Sequence, residues 1–424
     1  MRILLLGAGG FIGRHILSDL LSAGHDVIGV ARSTALLTHA FPDVRFVQID
    51  LARALRAEDW TPHLAGVDVI VNAAGLLRGR DLKAVHVAMP SALYQSAEAS
   101  GVRHAILISA ISARPDVATD YSQTKLAGEA ALRASALDWT ILRPSLVYGD
   151  GSYGGTSLMR GMAGLPLLTP IPGHGDFTFT PIHVHDLART VRLACEGELP
   201  PQQTLDPVGP ETLTLRQMLA RYHTWLGFGE AHFVQVPMMR LMARVGDMLG
   251  DGPISSNSLD QMIAGNAGDS AAFAQAIGFT PRSLDMALRD RPAQVQDRWH
   301  ARLFFLAPLL QAVLLLMWLA SAWLGLFHGA TATKQLVDAA GLPESWCLPL
   351  QIGGSLIDIA IAAQLLFGRS AVRSAFCQLL VVGGYTVVIG AILPHLWLDP
   401  LGSLLKNLPI MVAIAIYGVI GDKR

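Results

Sequence analysis

Short apolar runs alternate with amphipathic stretches over the first 300 residues of the chain. The run at residues 2–6 leads into a helical pattern at residues 11–23, and Gly24 ends that pattern. Further strand-like and helical patterns follow at residues 26–31, 44–49, 67–71, 90–100 and 105–108. Buried strands that alternate with helices are typical of an α/β protein. The pattern therefore predicts a Rossmann-type, doubly wound parallel sheet.

The chain changes in character after residue 149. Glycine and proline are frequent over residues 149–177, which we expect to form an irregular wall over a substrate. Short helical patterns follow at residues 215–226, 238–249, 259–263 and 284–288. The second of these carries a stripe of methionines that is typical of an apolar core. Together they predict a small substrate subdomain that completes a first domain over residues 1–296.

Long apolar runs dominate the rest of the chain. The whole sequence is 51% hydrophobic and 15% charged, which is too apolar for an ordinary soluble enzyme. Nearly uncharged runs lie at residues 303–327, 348–367 and 375–393, and a shorter run lies at residues 404–420. Because about 20 apolar residues cross the hydrocarbon core of a bilayer as a helix, these runs predict an all-α, four-helix transmembrane bundle over residues 297–424.

The charged residues near these runs predict an orientation. Pairs of basic residues precede the first run, separate the second from the third and end the chain, whereas each of the other two loops holds one lysine. By the positive-inside rule we expect a multi-pass protein of the cell inner membrane with both termini in the cytoplasm. The three cysteines lack CxxC spacing, which argues against a disulfide framework and a zinc site. A net charge of −1 gives no basis for nucleic-acid binding.

Residues 1–13, MRILLLGAGGFIG, join the first strand to a glycine-rich turn and a helix start. Gly7 permits a tight turn, and Gly13 lets the helix pack on the strand. Gly9 and Gly10 let the backbone approach a pyrophosphate, at which the helix N-terminus points. A signal peptide would need a longer apolar run, of about 7–15 residues, and a small-residue cleavage site. The turn therefore predicts a dinucleotide-binding domain.

The ends of the next strands indicate how the dinucleotide is held. Arg32 stands where an acid would bond the ribose 2′-hydroxyl of NAD, and an arginine there suits the 2′-phosphate of NADP. We therefore favour NADP(H), with NAD(H) as the alternative. Asp50 follows the third strand, where it either accepts from the adenine amino group or caps the next helix. Ala73, Ala74 and Gly75 follow the fourth strand, where they either pack in the core or lie under the adenosine.

The sequence YSQTK places Tyr121 and Lys125 one turn apart on the same face of a helix that begins near Asp120. A phenol, with a pKa of ~10, exchanges protons at neutral pH only when a neighbouring cation stabilises the phenolate, and Lys125 would supply that cation. The same ammonium could bond the nicotinamide ribose. Ser109 and Ser112, after the preceding strand, are candidates to hold a substrate oxygen while Tyr121 exchanges its proton.

A group of histidines invites a metal interpretation. His183 and His185, if they lie in a strand, would point both rings to one face, with His174 and Asp186 nearby in the sequence. None of these offers a third ligand at convincing spacing. We therefore predict no metal site.

These motifs together resemble the short-chain dehydrogenase/reductase superfamily, in its extended or atypical branch. The segments GAGGFIG, VNAAG, SAISARPDVATDYSQTKLAGE, TILRPSLVYG and FTPIHVHDLA are similar to the subgroup related to the NADPH-binding accessory subunit of respiratory complex I. The resemblance implies that Tyr121 is the catalytic acid/base and that Lys125 is its partner and a cofactor ligand. It implies further that the strand ending in Arg143, Pro144 and Ser145 lies beside the nicotinamide.

In one respect the sequence departs from these relatives. The position where epimerase-like members keep a catalytic Ser or Thr falls on Ala110, between Ser109 and Ser112, so the serine role is open. The candidate cofactor-binding residues are Gly7, Gly9, Gly10, Phe11, Ile12, Gly13, Arg32, Asp50, Leu51, Ala73, Ala74, Gly75, Lys125, Pro144 and Ser145.

The last third of the chain, including the segment DPLGSLLKNLPI, resembles the DoxX-like membrane family. Its predicted second helix carries Asp358 at its centre, where an ionised carboxylate would cost about 2.5–3.5 kcal/mol on insertion scales. We expect Asp358 to face the bundle interior. Two interpretations stand side by side: a polar fastener bonded to Gln311, Gln378 or Tyr385, and a proton or quinone headgroup site.

Three functional hypotheses follow. The first is an NAD(P)(H)-dependent oxidoreductase, or epimerase/dehydratase, anchored so that it reaches a small or lipid-soluble alcohol, ketone or quinone. The second is a non-catalytic NADPH-binding assembly or sensor subunit of a membrane redox complex. The third is a transporter with a regulatory nucleotide-binding part. The Tyr121 and Lys125 pair favours the first hypothesis, and the scarcity of intramembrane charge argues against the third.

Overall fold

The computed structural model describes residues 1–151, 153–236, 256–263, 265–368, 370–400 and 402–421. The chain forms two compact units, Met1–Ala301 and Arg302–Arg424. The helix predicted at residues 238–249, with its methionine stripe, lies outside the described residues.

Parallel strands form the central sheet of the first unit, as predicted. The strands of this unit are β1 Arg2–Leu6, β2 Asp26–Ala31, β3 Arg45–Gln48, β4 Val69–Asn72, β5 His104–Ile108, β6 Asp138–Leu142, β7 Val147–Tyr148, β8 Thr169–Pro172, β9 Thr178–Phe179, β10 Ile182–His183, β11 Gln203–Leu205, β12 Leu213–Thr214 and β13 Phe233–Val236. Seven of them pair in the order β11-β6-β5-β4-β1-β2-β3, all in parallel. The order reverses between β1 and β4, which is where such sheets open a ligand crevice.

Helices cover both faces of this sheet. Among the described residues, the helices of the first unit are α1 Phe11–Ser22, α2 Ala35–Ala40, α3 Met89–Ala99, α4 Asp120–Arg133, α5 Gly154–Ala163, α6 Val184–Cys195, α7 Leu215–Trp225, α8 Ser256–Ile263, α9 Ser270–Ile277 and α10 Leu284–Asp290, with shorter helical turns at Ala57–Asp59, Thr61–His63 and Ala84–Ala88. Alternate side chains of β1 point to opposite faces, so Leu5 packs in the core under α1 and α6, whereas Leu4 packs in the core under α3. The doubly wound prediction is confirmed.

The glycine- and proline-rich stretch after residue 149 is more regular than we expected. Helix α5 and strand β8 lie within it, and β8 pairs in parallel with β13. The prediction of an irregular wall is therefore wrong for these residues. The reason is tertiary: Met159 and Ala163 are buried in a core that α7 completes, so packing stabilises a helix that begins with two glycines.

The second unit is helical. The helices of this part of the chain are α11 Val295–His328, α12 Ala330–Ala339, α13 Cys347–Phe367, α14 Ala371–Ile392 and α15 Asn407–Ile420, with short turns at Glu344–Trp346 and Pro394–Leu398. Among the described residues, the helices containing α11, α13 and α14 are long and apolar enough to cross a membrane. Helix α15 has 14 residues, because residues 403–406 form turns, and is therefore shorter than the predicted fourth span.

Asp358 lies inside this unit, as expected, but with a different partner. Its Oδ2 accepts a hydrogen bond from the Ser321 hydroxyl of α11 at 2.6 Å. Gln311 instead donates to the carbonyl of Leu365, and Gln378 accepts from Trp318. Tyr385 donates to the carbonyl of Gly354. The predicted bonds from Asp358 to Gln311, Gln378 and Tyr385 are therefore absent from the described residues. Oδ1 of Asp358 is buried without a hydrogen-bond partner there.

Candidate active site at the sheet edge

The glycine turn lies at the point where the strand order reverses. Gly7 has φ +77°, and a Cβ there would lie 3.0 Å from the main chain of Ala73 and Ala74, which follow β4. A Cβ at Gly13 would lie only 2.0 Å from the carbonyl oxygen of Gly7. These two positions therefore require glycine, because any side chain would collide with backbone. The two strand ends consequently meet in one crevice.

The start of α1 is open for an anion. Gly10 caps the helix without any side-chain hydrogen bond, and Gly9 and Gly10 are exposed. The amides of the first turn, which includes Phe11 and Ile12, therefore point out of the helix without a capping side chain. The ring of Phe11 stacks on Tyr153 at a centroid distance of 6.0 Å. This arrangement fits a pyrophosphate, as the sequence predicts.

Arg32 and Asp50 follow β2 and β3 at the same edge of the sheet. Arg32 is exposed, and its side chain makes no hydrogen bond or ion pair with another described residue. Asp50 accepts the backbone N–H of Ala52 at 3.2 Å and lies 3.5 Å from Arg53. The capping alternative for Asp50 is therefore present in this structure, although it closes a turn and not a helix. The adjoining Leu51 is buried.

Lys125 is buried at the ends of β4 and β5. Its ammonium donates to the carbonyl of Ile108 at 2.9 Å and to that of Ala74 at 3.5 Å. A side chain at Gly75 would lie 3.1 Å from Nζ, so the ammonium is beside this bare backbone. Burial lowers the pKa of Lys125 to about 8, and Glu129 opposes that shift. A cation is thus held beside the crevice.

Tyr121 occupies the first turn of α4, near the imidazole of His86. The two rings meet edge to face at a centroid distance of 5.7 Å. Burial raises the pKa of the Tyr121 hydroxyl to about 12. The Tyr121 hydroxyl and Lys125 share no hydrogen bond in the described residues, because the lysine is engaged with main-chain carbonyls. Tyr121 is therefore a neutral phenol in this state.

His86 links α4 to the segment after β4. The sequence pattern did not predict this role. Its Nε2 accepts from the backbone N–H of Leu76 at 3.1 Å, so Nδ1 carries the hydrogen that it shares with Thr124 at 2.9 Å. Burial, followed by the charge of Lys125, lowers the pKa of His86 to about 3. His86 is therefore a neutral crossbrace between the segment after β4 and the helix that carries Tyr121 and Lys125.

Ser109 directly follows Ile108, whose carbonyl accepts from Lys125, but the Ser109 hydroxyl is hydrogen-bonded elsewhere. It donates to Oε1 of Glu129 at 2.6 Å. Glu129 is fully buried and also accepts from Arg143 and from Arg133. The carboxylate of Glu129 raises the pKa of Arg143. Glu129 lies one turn beyond Lys125, and that spacing is a signal by which the sequence could have identified it.

The other predicted serines differ in their freedom. Ser112 is buried, and its hydroxyl has no hydrogen-bond partner among the described residues. The hydroxyl of Ser145 donates to the main-chain carbonyl of Asn266, and the carbonyl of Pro144 accepts from Ile111. Ser112 is therefore the hydroxyl of this set that is free, whereas the hydroxyl of Ser145 links the segment after β6 to Asn266.

Three histidines lie together beside α1, the helix that follows the glycine turn. His183 ends β10 and caps α6, accepting the backbone N–H of His185, so His185 lies in a helix and not in the expected strand. The ring of His185 lies between the other two, with centroid distances of 5.0 Å to His15 and 4.9 Å to His183. Within the described ranges, no group of three or more His, Cys, Asp or Glu residues could hold a metal. Burial lowers the pKa of His183 to about 3.

Two family models match this chain. Residues 7–164 match an NAD(P)H-binding family, and residues 315–415 match the DoxX-like family. The chain is 32% identical over 200 residues to ceramide reductase of Caulobacter vibrioides, a match that covers 46% of this chain and 60% of that reductase. It is 22% identical over 222 residues to the 40 kDa subunit of mitochondrial NADH-ubiquinone oxidoreductase of Neurospora crassa, covering 50% and 57%. It thus spans less than two thirds of either relative.

A similar fold occurs in a nucleoside-diphosphate-sugar epimerase from Staphylococcus aureus. That structure superposes with a TM-score of 0.56 at 20% identity, over 68% of this chain and 100% of the epimerase. Residues 7–164 are therefore similar to an NAD(P)H-binding family and share the fold of this epimerase, and residues 315–415 are similar to the DoxX-like family. Both predicted resemblances are confirmed, and the match to an NAD(P)H-binding family supports a nicotinamide dinucleotide as the cofactor.

Proposed function

We propose that the protein is a membrane-anchored, NADP(H)-dependent oxidoreductase that reduces the carbonyl group of a lipid-soluble ketone or quinone. The observation that carries this proposal is the buried ammonium of Lys125, held by the carbonyls of Ile108 and Ala74 beside the glycine turn. A lysine is rarely buried without a charged or functional partner. Here its carbonyl partners hold the cation at the carboxyl ends of β4 and β5, where such sheets bind ligands.

The chain offers fitting contacts to each part of the cofactor. The first turn of α1 takes the pyrophosphate, because its amides lack a capping side chain. Arg32 takes the 2′-phosphate of NADP, since its guanidinium is exposed and has no partner among the described residues. Lys125 takes the nicotinamide ribose. NADPH supplies a hydride when it is bound.

Tyr121 can act as the proton donor of a reduction. With a pKa of about 12, its hydroxyl carries a proton at neutral pH and can donate it to a carbonyl oxygen while hydride adds to the carbonyl carbon. The product is an alcohol, and the tyrosinate regains its proton from water. Lys125 stabilises that tyrosinate after a shift of its ammonium, and the free hydroxyl of Ser112 holds the substrate oxygen.

The membrane domain supports a lipid-soluble substrate. Three helices are apolar and long enough to cross a bilayer, among the described residues. A similarity to a ceramide reductase points the same way, because ceramide is a lipid. We place the protein in the cell inner membrane, with the nucleotide-binding domain and both termini in the cytoplasm, on the distribution of lysine and arginine between the loops.

The test is NADPH consumption by the full-length protein in lipid nanodiscs, against a panel of quinones, long-chain ketones and ceramide precursors with a keto group. We expect oxidation of NADPH with at least one of them, and none from Tyr121→Phe protein that binds NADPH equally well. If wild-type protein binds NADPH but consumes it with no member of the panel, the reductase proposal is overturned.

A second candidate function is NADPH binding without turnover, in a membrane redox assembly. The specific observation in its favour is that the Lys125 ammonium is engaged with main-chain carbonyls and does not contact the Tyr121 hydroxyl. The similarity to a 40 kDa subunit of an oxidoreductase complex agrees with it. In that case NADPH would raise the melting temperature of wild-type and Tyr121→Phe protein alike, and neither would oxidise it.

A further inference from the structure

We propose that residues 165–168, Leu-Pro-Leu-Leu, form a membrane-contacting loop that enters the lipid surface beside the point where α11 leaves the first unit. The loop joins α5 to β8. Leu167 is 79% exposed and Leu168 is 53% exposed, in a unit whose other large apolar side chains are mostly buried. Two adjacent exposed leucines in a short connection form an apolar patch that a covering surface would bury.

The position of the loop follows from a close contact between Gly164 and Ala301. A Cβ at Gly164 would lie 2.6 Å from the Cβ of Ala301, so the two backbones touch without an intervening side chain. Ala301 is fully buried in the core that also contains Met159 and Ala163. The loop therefore begins one residue from this contact, and Leu167, three residues on, lies within about 11 Å of Gly164.

The same contact marks where the chain becomes apolar. Ala301 belongs to the helix Val295–His328, and the nearly uncharged run of that helix begins at residue 303. A helix rises about 1.5 Å per residue, so the run starts about 3 Å beyond Ala301. Peripheral apolar groups enter a bilayer by about 5–10 Å. Leu167 is therefore within reach of the lipid surface that receives the helix.

Side-chain contacts keep the loop against the helix. Arg160 of α5 is buried, lies 3.8 Å from the carboxylate of Asp297, and has its guanidinium carbon 5.0 Å from the ring centre of Trp225. Nδ1 of His223, in α7, donates to the carbonyl of Ala163 at 2.7 Å. Helix α5 is thus tied to the first turns of α11, and the leucines cannot move far from it.

The neighbouring side chains fit a bilayer better than a protein partner. Trp299, two residues before Ala301, is 62% exposed, and Arg298, which directly precedes it, has its guanidinium carbon 5.6 Å from the ring centre of Phe228. Tryptophan and arginine are enriched at the level of lipid headgroups. The start of α11 thus carries an aromatic and a basic residue, and the leucines of the loop lie near them. This combination is typical of a protein surface in contact with lipid.

The test uses full-length protein in nanodiscs, in a background with Cys347 and Cys377 changed to alanine. An environment-sensitive fluorophore is attached to Leu167→Cys, and quenching is measured with lipids that carry a nitroxide on the acyl chain. The matched control is Leu36→Cys on α2, because Leu36 is 54% exposed in the nucleotide-binding part of the same unit. Retained NADPH binding shows that each labelled variant is folded.

We expect a blue-shifted emission and strong quenching at position 167, and neither at position 36. Equal emission and no quenching at both positions would overturn the proposal. Blue-shifted emission at position 167 that lipid nitroxides do not quench, and that fades on dilution, would also overturn it, because a second copy of the chain would then cover the loop.

Discussion

The Ser109 hydroxyl donates to the Glu129 carboxylate at 2.6 Å, inside a core where Glu129 also holds Arg143. This bond decides which serine is free to act. A hydrogen bond to a buried charged group contributes about 1.5–3 kcal/mol, so the Ser109 hydroxyl does not turn to a substrate without a comparable gain. Ser112, three residues on, carries no such commitment among the described residues.

The first prediction separates these two serines. We expect Ser112→Ala to lower kcat/KM by about 2- to 10-fold, the effect of one neutral hydrogen bond, with little change in melting temperature. Ser109→Ala should instead lower the melting temperature and leave kcat/KM nearly unchanged. Steady-state kinetics and thermal unfolding of both variants in nanodiscs check this. A larger kinetic loss in Ser109→Ala would reverse the assignment.

The second prediction concerns the proton donor. Tyr121→Phe should leave NADPH affinity nearly unchanged and reduce turnover by ~10²–10⁴, because the carbonyl oxygen loses its positioned acid. Lys125→Ala should weaken NADPH binding as well as turnover. Titration of NADPH binding and single-turnover kinetics distinguish the two. Unaltered turnover in Tyr121→Phe would remove Tyr121 from the mechanism.

The third prediction concerns cofactor choice. Arg32→Asp should weaken NADPH binding by about 10- to 150-fold, the effect of one charge-assisted phosphate contact, and change NADH binding far less. Arg103→Asp is the control, since Arg103 is an exposed arginine before β5, at the amino ends of the strands and away from the crevice. Calorimetric titration with both dinucleotides measures the effect. If Arg32→Asp changes the NADPH and NADH affinities equally, Arg32 does not bind the 2′-phosphate.

The fourth prediction concerns pH. Burial lowers the pKa of Lys125 from 10.5 to about 8, so the ammonium that the reaction needs is present below pH 8 and is lost as pH rises through it. Turnover should therefore fall above pH 8. Between pH 8 and 10.5 the unfolded chain holds more protons on this lysine, so its contribution to stability rises with pH. Activity and the contribution of Lys125 to stability should thus move in opposite directions.

Lys125→Arg is the control for this profile. Arginine keeps its charge across the range, so whatever turnover the variant retains should not decline between pH 8 and 9.5. The pH dependence of kcat and of the melting temperature, measured on the same preparations, checks both parts. A decline of turnover in the arginine variant that parallels the wild type would assign the pH effect to another group.

The fifth prediction concerns Asp358, whose bond to Ser321 supports the fastener interpretation. Asp358→Asn keeps an acceptor for Ser321, and interhelical hydrogen bonds contribute only ~0.6 kcal/mol on average. We therefore expect this variant to insert, to melt close to the wild-type temperature and to turn over normally between pH 6 and 8. A pH-dependent loss of turnover would instead assign the unpartnered Oδ1 to a proton or quinone site.

Local patterns in the sequence determined the sheet, the glycine turn and the helix of Tyr121 and Lys125. Strand β2 occupies the predicted residues 26–31, and α4 begins at the predicted Asp120. Such features depend on residues within one or two turns of each other, because side-chain period, capping and the steric demand of glycine act over that range. Gly7 and Gly13 were predictable for the same reason, because the φ of +77° at Gly7 and the contact of Gly13 with the Gly7 carbonyl are both local.

Only the tertiary structure decided what the catalytic candidates contact. Lys125 bonds the carbonyls of Ala74 and Ile108, which are 51 and 17 residues away, and Ser109 is held by Glu129. Helix α5 begins with two glycines, which disfavour a helix. It forms because residues that are distant in the sequence pack on it. A sequence records the types of these residues, but burial and hydrogen bonding depend on which strand ends meet, and that is set when the whole sheet closes.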